Sequence, residues 1–340
     1  MTEQLKLKLN DSKATRWGAL VIVAFTMMAA YYVNDVVAPL KTMLETDLAW
    51  SSTDFGFFTG GYRFLNVFFL MLIWGGLILD RFGIRFTGKL ATILMVGGTA
   101  LEYYAMTGLA GADATLFGIN EIFGYKTGVF VAFAGYSIFG VGAEVAGITV
   151  SKIIAKWFKG KELATAMGVQ VALARIGSQA GYAVAIPLAR AFGISTPVLL
   201  GLVLLLGGMI AFFVFAVMDK KLDKQMEAAA IAAGTEDEEE KFSFKDVKNI
   251  LVNPGFWLIA LLCVLFYSCV FPFQKFASEL MIIKYGINEN VAGTFAGLPA
   301  LGALILTPVF GGFIDKRGKS ASIMLLGSAM LICVHFIYAI

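Results

Sequence analysis

The sequence predicts an all-α membrane protein with nine spanning helices, on three observations. Apolar residues make up 59% of the 340 and charged ones only 15%, against about a quarter charged and under half apolar in ordinary soluble domains. Apolar runs of about 20 residues, the length that crosses a bilayer, recur along the whole chain. Lys and Arg are spread unevenly over the short connections between those runs. One aqueous core cannot hide this much apolar surface, so lipid is the expected solvent for much of it.

The runs fall at 17–38, 55–79, 88–108, 126–150, 163–189, 195–218, 255–283, 289–314 and 320–340, each bounded by charges or by Pro and Gly. A polar, basic stretch from Met1 to Arg16 precedes the first run. It lacks the short apolar segment and small-residue cleavage site of a removed signal, so the first run is expected to remain as a span. The seventh run is the least clean, because Lys275 and Glu279 sit in its last third. With the N-terminus cytoplasmic, 20 of the 27 Lys and Arg fall on the cytoplasmic side and 5 on the other; Arg63 and Arg175 lie inside spans. Positively charged loops stay inside, which orients the chain.

One long hydrophilic connection, 219–252, divides six spans (1–218) from three (253–340). It carries Lys220-Lys221 and an acidic run from Glu236 to Glu240, and reads as a solvated linker. Phe242, Phe244, Val247, Ile250 and Leu251 could alternatively form a short amphipathic helix on the membrane surface. Cys263, Cys269 and Cys333 lie in apolar runs and form no disulfide or metal spacing.

The two parts share a repeat. Gly76-Leu-Ile-Leu-Asp80-Arg81-Phe-Gly83-Ile-Arg85 closes the second span, and Gly311-Gly-Phe-Ile-Asp315-Lys316-Arg-Gly318-Lys319 closes the eighth. Each Asp has a Gly four residues before it and another three after, at the cytoplasmic mouth of the second span of its half. Matching halves of this kind are the architecture of many secondary transporters. The Asp can accept from a helix N-terminus or a basic loop, and the glycines permit a tight turn and a close helix contact. Gly76, Asp80, Arg81, Gly83, Arg85, Asp315, Lys316 and Gly318 are therefore candidate gate residues.

This pattern resembles the signature of the major facilitator superfamily. The likeness narrows to the family of lysosomal dipeptide uniporters through Gly140-Val-Gly142-Ala-Glu144, Trp157-Phe158-Lys159-Gly160-Lys161-Glu162-Leu163 and Ala174-Arg175-Ile176-Gly177-Ser178. It continues through Phe271-Pro272-Phe273 and Pro308-Val-Phe-Gly311. The resemblance implies the major facilitator fold, with twelve helices in two six-helix bundles and rocking-bundle alternating access. It also implies a small-molecule substrate, with dipeptides or other small zwitterions expected. Against twelve helices, nine runs point to a C-terminally truncated relative, and the short N-terminus without an obvious sorting extension to one of bacterial type, expected in a cytoplasmic membrane. Tyr136 stands where the resemblance implies an Arg, and Arg63 is a cation the resemblance does not imply.

An ionisable side chain in mid-span costs about 2.5–3.5 kcal/mol on insertion scales, so each needs a reason. Arg175 can hold a carboxylate as a bidentate fork and Glu144 an ammonium; the alternative is an ion pair that only locks the fourth and fifth spans together. Glycines at 140, 142, 147, 177 and 181 are expected to draw those two helices close. Arg63, Glu102 and Asp35 are further substrate-site candidates, and Glu144, Glu102 or Asp35 could carry a proton, which leaves uniport and proton symport both open. No catalytic motif, cofactor motif or metal spacing is visible, so an enzyme is not expected. The basic residues are accounted for by topology, so lipid and a small solute, not nucleic acid, are the expected partners.

Overall fold

The computed structural model describes residues 8–111, 114–233, 249, 251–317 and 320–339. All nine apolar runs are helical. Helix α1 spans Lys13–Val36, with Ser12 Oγ accepting from Thr15 N at its start, and a short α2 follows at Lys41–Asp47. Helix α3 (Ser52–Phe68) opens on a reciprocal cap between Ser51 and Asp54, which satisfies two of the donors a helix start leaves free. Next come α4 (Met71–Thr107), α5 (Thr127–Trp157), α6 (Leu163–Phe192) and α7 (Thr196–Ala233). After the linker, Asn253 and Pro254 start α8 (Pro254–Ile283), followed by α9 (Glu289–Arg317) and α10 (Ser320–Ala339). A two-stranded hairpin, β1 (Glu121–Ile122) with β2 (Tyr125–Lys126), joins α4 to α5.

The helices differ from nine clean spans in three ways. Among the described residues six stretches are long and apolar enough to cross a membrane, or seven if the pair α3 and α4, bent by 58°, counts as one. Helix α6 is not among them, since Gln170, Arg175, Ser178 and Gln179 make it too polar. The predicted second span is broken at Leu70, which adopts φ 51° between α3 and α4, and α4 joins the remainder of that span to the third at Gly83 (φ 74°). Gly61 faces Phe133 and Ser137 while Gly75 faces Val145, so residues 52–82 run parallel to α5. Gly98 faces Gly135 and Phe139 while Gly142 faces Ala91 and Met95, so 84–107 run antiparallel. The chain therefore reverses at Gly83, where a left-handed backbone favours glycine.

The stretch 219–233, read from sequence as the start of the linker, instead continues α7. Leu222 is fully buried there, and Asp219 and Asp223 take cations from neighbouring helices. The acidic run Glu236–Glu240 lies outside the described residues, as do all but Leu251 of the apolar residues of the suggested surface helix.

The first half packs α5 along α3 and α4, and α1 against α6 and α7, around buried Phe55, Phe58, Tyr136, Phe139 and Trp157. Its two ends are distinct. Arg16, Asp80, Arg85, Lys152, Lys156 and Glu162 gather at one, here called the basic face. Asn34, Lys41, Lys126 and Arg190 lie toward the other, where Lys275 of α8 meets Asn34.

Candidate functional site

The glycines beside Glu144 and Arg175 seat each helix on a different neighbour. A Cβ on Gly140 would lie 2.2 Å from Tyr62 O, and one on Gly177 would lie 2.1 Å from Met28 O. Glycine thus holds α5 against α3 and α6 against α1, and does not draw α5 and α6 together as the sequence suggests. The physical reason is facing: these glycines project away from the α5–α6 boundary. Glu144 and Arg175 are consequently free of one another, with no ion pair between them within 4.0 Å. Both are half-buried. Tyr62 donates its hydroxyl to Glu144 Oε1 at 3.0 Å, and the Arg175 guanidinium lies 5.8 Å from the Tyr31 ring centre. Tyr31 stands within electrostatic reach of Arg175, Glu144, Asp35 and Tyr267, so α1, α5, α6 and α8 contribute to one neighbourhood.

Arg63 stacks on Phe271 across the two halves, 3.9 Å from the ring centre, a short cation–π contact. It lines a cavity of about 580 Å³ between α3 and α8, with Thr59, Tyr267, Ser268, Phe271 and Lys275. Glu144 and Arg175 do not line this cavity. It adjoins them through Tyr62, next to Arg63 in sequence, and through Tyr267.

Lys275 is the residue that sequence reasoning missed. It is one of the five cations that the Lys and Arg distribution assigns to the non-cytoplasmic side, because it falls near the end of its run, yet it is only 9% exposed. Its Nζ donates to Asn34 O at 2.6 Å and to Tyr136 OH at 3.2 Å, and lies 3.8 Å from Asp35 Oδ1. Tyr136, in turn, donates to Asn34 O at 2.7 Å. Charges four residues apart at Lys275 and Glu279, in an otherwise apolar run, were the available signal. Glu102 is fully buried, and neither carboxylate oxygen has a hydrogen-bond partner among the described residues. Its backbone packs on Gly135, and it feels the Lys275 charge.

The gate candidates of the first half sit at the basic face. Asp80 accepts from Lys152 at 3.0 Å, the basic side chain expected of its partner. Arg85 reaches Asp223 at 2.6 Å and Asp219 at 3.6 Å. Lys156 bonds Asp219 at 2.8 Å and also Asp223, and Trp157 Nε1 donates to Asp219 at 3.0 Å. Arg81 lies 5.5 Å from the Phe82 ring centre. Gly83 supplies the turn, but the close helix contact expected at Gly76 falls at Gly75, where a Cβ would meet Val145 Cγ2 at 2.6 Å. Asp315 and Lys316 lie in the last turn of α9, and Gly318 is outside the described residues. Nearby, hydrogen bonds from Arg16 and Trp17 hold the Glu162 carboxyl below the usual range, and Lys161 does the same for Asp11. Among the described residues no group of three His, Cys, Asp or Glu could hold a metal.

Residues 20–340 match the Major Facilitator Superfamily. The chain belongs to that superfamily. Membership places it with transporters and not with enzymes. Among curated relatives, the human lysosomal dipeptide transporter MFSD1 is 26% identical over 340 residues, covering 96% of this chain and 67% of that protein. The Pongo abelii protein of the same name is 26% identical over 334 residues, covering 94% and 65%. The chain thus spans about two thirds of the length of these relatives. A solved crystal structure, that of a D-xylose-proton symporter, superposes with a TM-score of 0.56 at 16% identity, over 88% of this chain and 69% of that one. At that identity the likeness speaks for the fold alone.

Proposed function

We propose that this major facilitator protein moves a small zwitterionic solute, a dipeptide fitting best, by alternating access with its basic face in the cytoplasm. The carrying observation is that Glu144 and Arg175 face one neighbourhood without pairing with each other. A salt bridge between them would serve only to lock α5 to α6. Unpaired, the guanidinium is available to a carboxylate as a two-donor fork and the carboxylate to an ammonium, and a dipeptide carries both. The dipeptide transporters among the relatives add support. Arg63 and Asp35 are secondary contacts in this reading, placed at the adjoining cavity and beside Lys275.

The test is dipeptide uptake into proteoliposomes by the full-length protein. Each charge-assisted bond to the ligand is worth about 1.5–3 kcal/mol, so Arg175→Lys, which loses the planar fork, is expected to weaken uptake about 10- to 100-fold. Glu144→Gln is expected to penalise ligands with a free amino group more than N-acetylated ones. Normal uptake by a Glu144→Arg, Arg175→Glu double variant would overturn the assignment. A proton-coupled version of the same transport is favoured by one observation, the buried and unpartnered carboxyl of Glu102. In that version Glu102→Gln abolishes pH-driven accumulation and leaves exchange intact; in uniport it changes neither.

A further inference from the structure

The segment between α4 and α5 repeats one unusual device. Leu116 and Ile119 exchange both backbone hydrogen bonds, at 3.0 Å each, across Phe117 (φ 54°) and Gly118 (φ 79°). Six residues later Ile122 pairs with Tyr125 across Phe123 (φ 54°) and Gly124 (φ 80°). Positive φ at both central residues marks the tight hairpin turn whose first position ordinarily holds Asn, Asp or Gly. Phenylalanine is strained there, since its Cβ crowds the backbone in the left-handed region. It buries little against the protein in return: Phe117 is 94% exposed and Phe123, beside Phe130, 88%. Two strained aromatic residues held out at two consecutive tips call for an apolar surface that lies outside the chain.

The surroundings identify that surface. The hairpin's base is fixed, with Tyr125 stacked on Phe57 at 3.9 Å and Lys126 Nζ donating to Ala49 O at 2.5 Å. Phe123 lies 6.0 Å from Phe130, and the aromatic contacts continue through Phe57, Phe133 and Phe64 to exposed Phe68 and Phe69. In a spanning protein that exposed aromatic stripe on α3 faces lipid. Phe123 extends it beyond the first turn of α5, at the level where aromatic side chains settle between water and hydrocarbon. Glu121 and Lys126 are the charged residues among the described ones of this segment.

We propose that the Phe117 and Phe123 turns insert into the bilayer leaflet on the face opposite the basic one, anchoring the α4–α5 connection to lipid. The test uses the chain with Cys263, Cys269 and Cys333 replaced by Ser, in nanodiscs of phosphatidylcholine and phosphatidylglycerol. A nitroxide is placed in turn at Phe117→Cys, Phe123→Cys and, as an aqueous control, Glu121→Cys. Collision with oxygen exceeding collision with a water-soluble nickel chelate at both Phe positions, and the reverse at Glu121, is the expected result. Nickel collision at the Phe positions equal to that at Glu121 would overturn the proposal. So would protection from both reagents, which would mean the tips dock on protein. A Phe117→Asn, Phe123→Asn variant keeps the turn geometry; its thermal unfolding temperature in detergent is expected to stay level or rise while it falls relative to wild type in nanodiscs. A fall in both would make the two Phe side chains structural and not anchoring.

Discussion

The two ends of the molecule use charge differently. At the basic face Asp80–Lys152, Arg85–Asp223 and Lys156–Asp219 join α4, α5 and α7, all within the first half. At the opposite face three cations cross between halves. Lys41 binds Glu279 of α8, Lys275 of α8 reaches Asn34 and Tyr136, and Arg190 binds Glu289 and Asn290 at the start of α9. Tyr182 OH donating to Gln274 O at 3.3 Å, and Gly293 against Tyr182 O, add to the same seam. Among the described residues the halves are thus latched at one face and joined by no ion pair at the other. In a carrier with two rocking bundles, such cross-half pairs would hold the molecule closed at the face opposite the basic one. Ion pairs inside one half set its stability; pairs across the halves set the balance between states.

Removing Lys41 should have the largest effect. It is 2% exposed among Glu45, Ser52 and Glu279, and breaking a buried pair leaves an uncompensated charge. Lys41→Met is expected to cost about 3 kcal/mol, the low end for such a loss, in thermal unfolding in nanodiscs. It should also lengthen spin-label distances across the opposite face. An unchanged distance would mean that the latch lies elsewhere.

Asp219→Asn is the matching change at the basic face. Asp219 is fully buried beneath Trp157, Lys156 and Arg85, so a loss of about 1.5–3 kcal/mol is expected for its charge-assisted bonds. The distances between halves should stay as they are, because every partner belongs to the first half. A lengthening would erase the distinction drawn between the two faces.

Asp80→Asn tests the gate with a small energy. The Asp80–Lys152 pair is about half exposed and worth at most about 1 kcal/mol, so expression and melting temperature should hold while uptake by the full-length protein falls. Wild-type uptake would remove Asp80 from the gate. The smallest effect concerns pH. Glu162 and Asp11 have folded-state values below the ordinary carboxylate range, through Arg16 with Trp17 and through Lys161. Their contribution is fully present above that ordinary range and is lost as pH falls through the lowered values. Hydrogen exchange at Leu9–Arg16 should therefore accelerate only on strong acidification, and Glu162→Gln should raise exchange at neutral pH and flatten that dependence.

The sequence by itself determined the helices and which residues carry charge inside apolar runs. Each of these is a local property: apolar length and the cost of an ionisable group in lipid act residue by residue. The duplicated Gly/Asp/Gly pattern likewise marked the turn at Gly83, because a left-handed backbone favours glycine regardless of what surrounds it. Partners were decided only by the tertiary structure. That Gly140 rests on Tyr62 and Gly177 on Met28, leaving Glu144 and Arg175 unpaired, depends on how α5 and α6 are rotated against α3 and α1. Lys275 reads from sequence only as a charge near the outer end of its run, because the side a helix presents to another half is set by packing between residues more than a hundred positions apart.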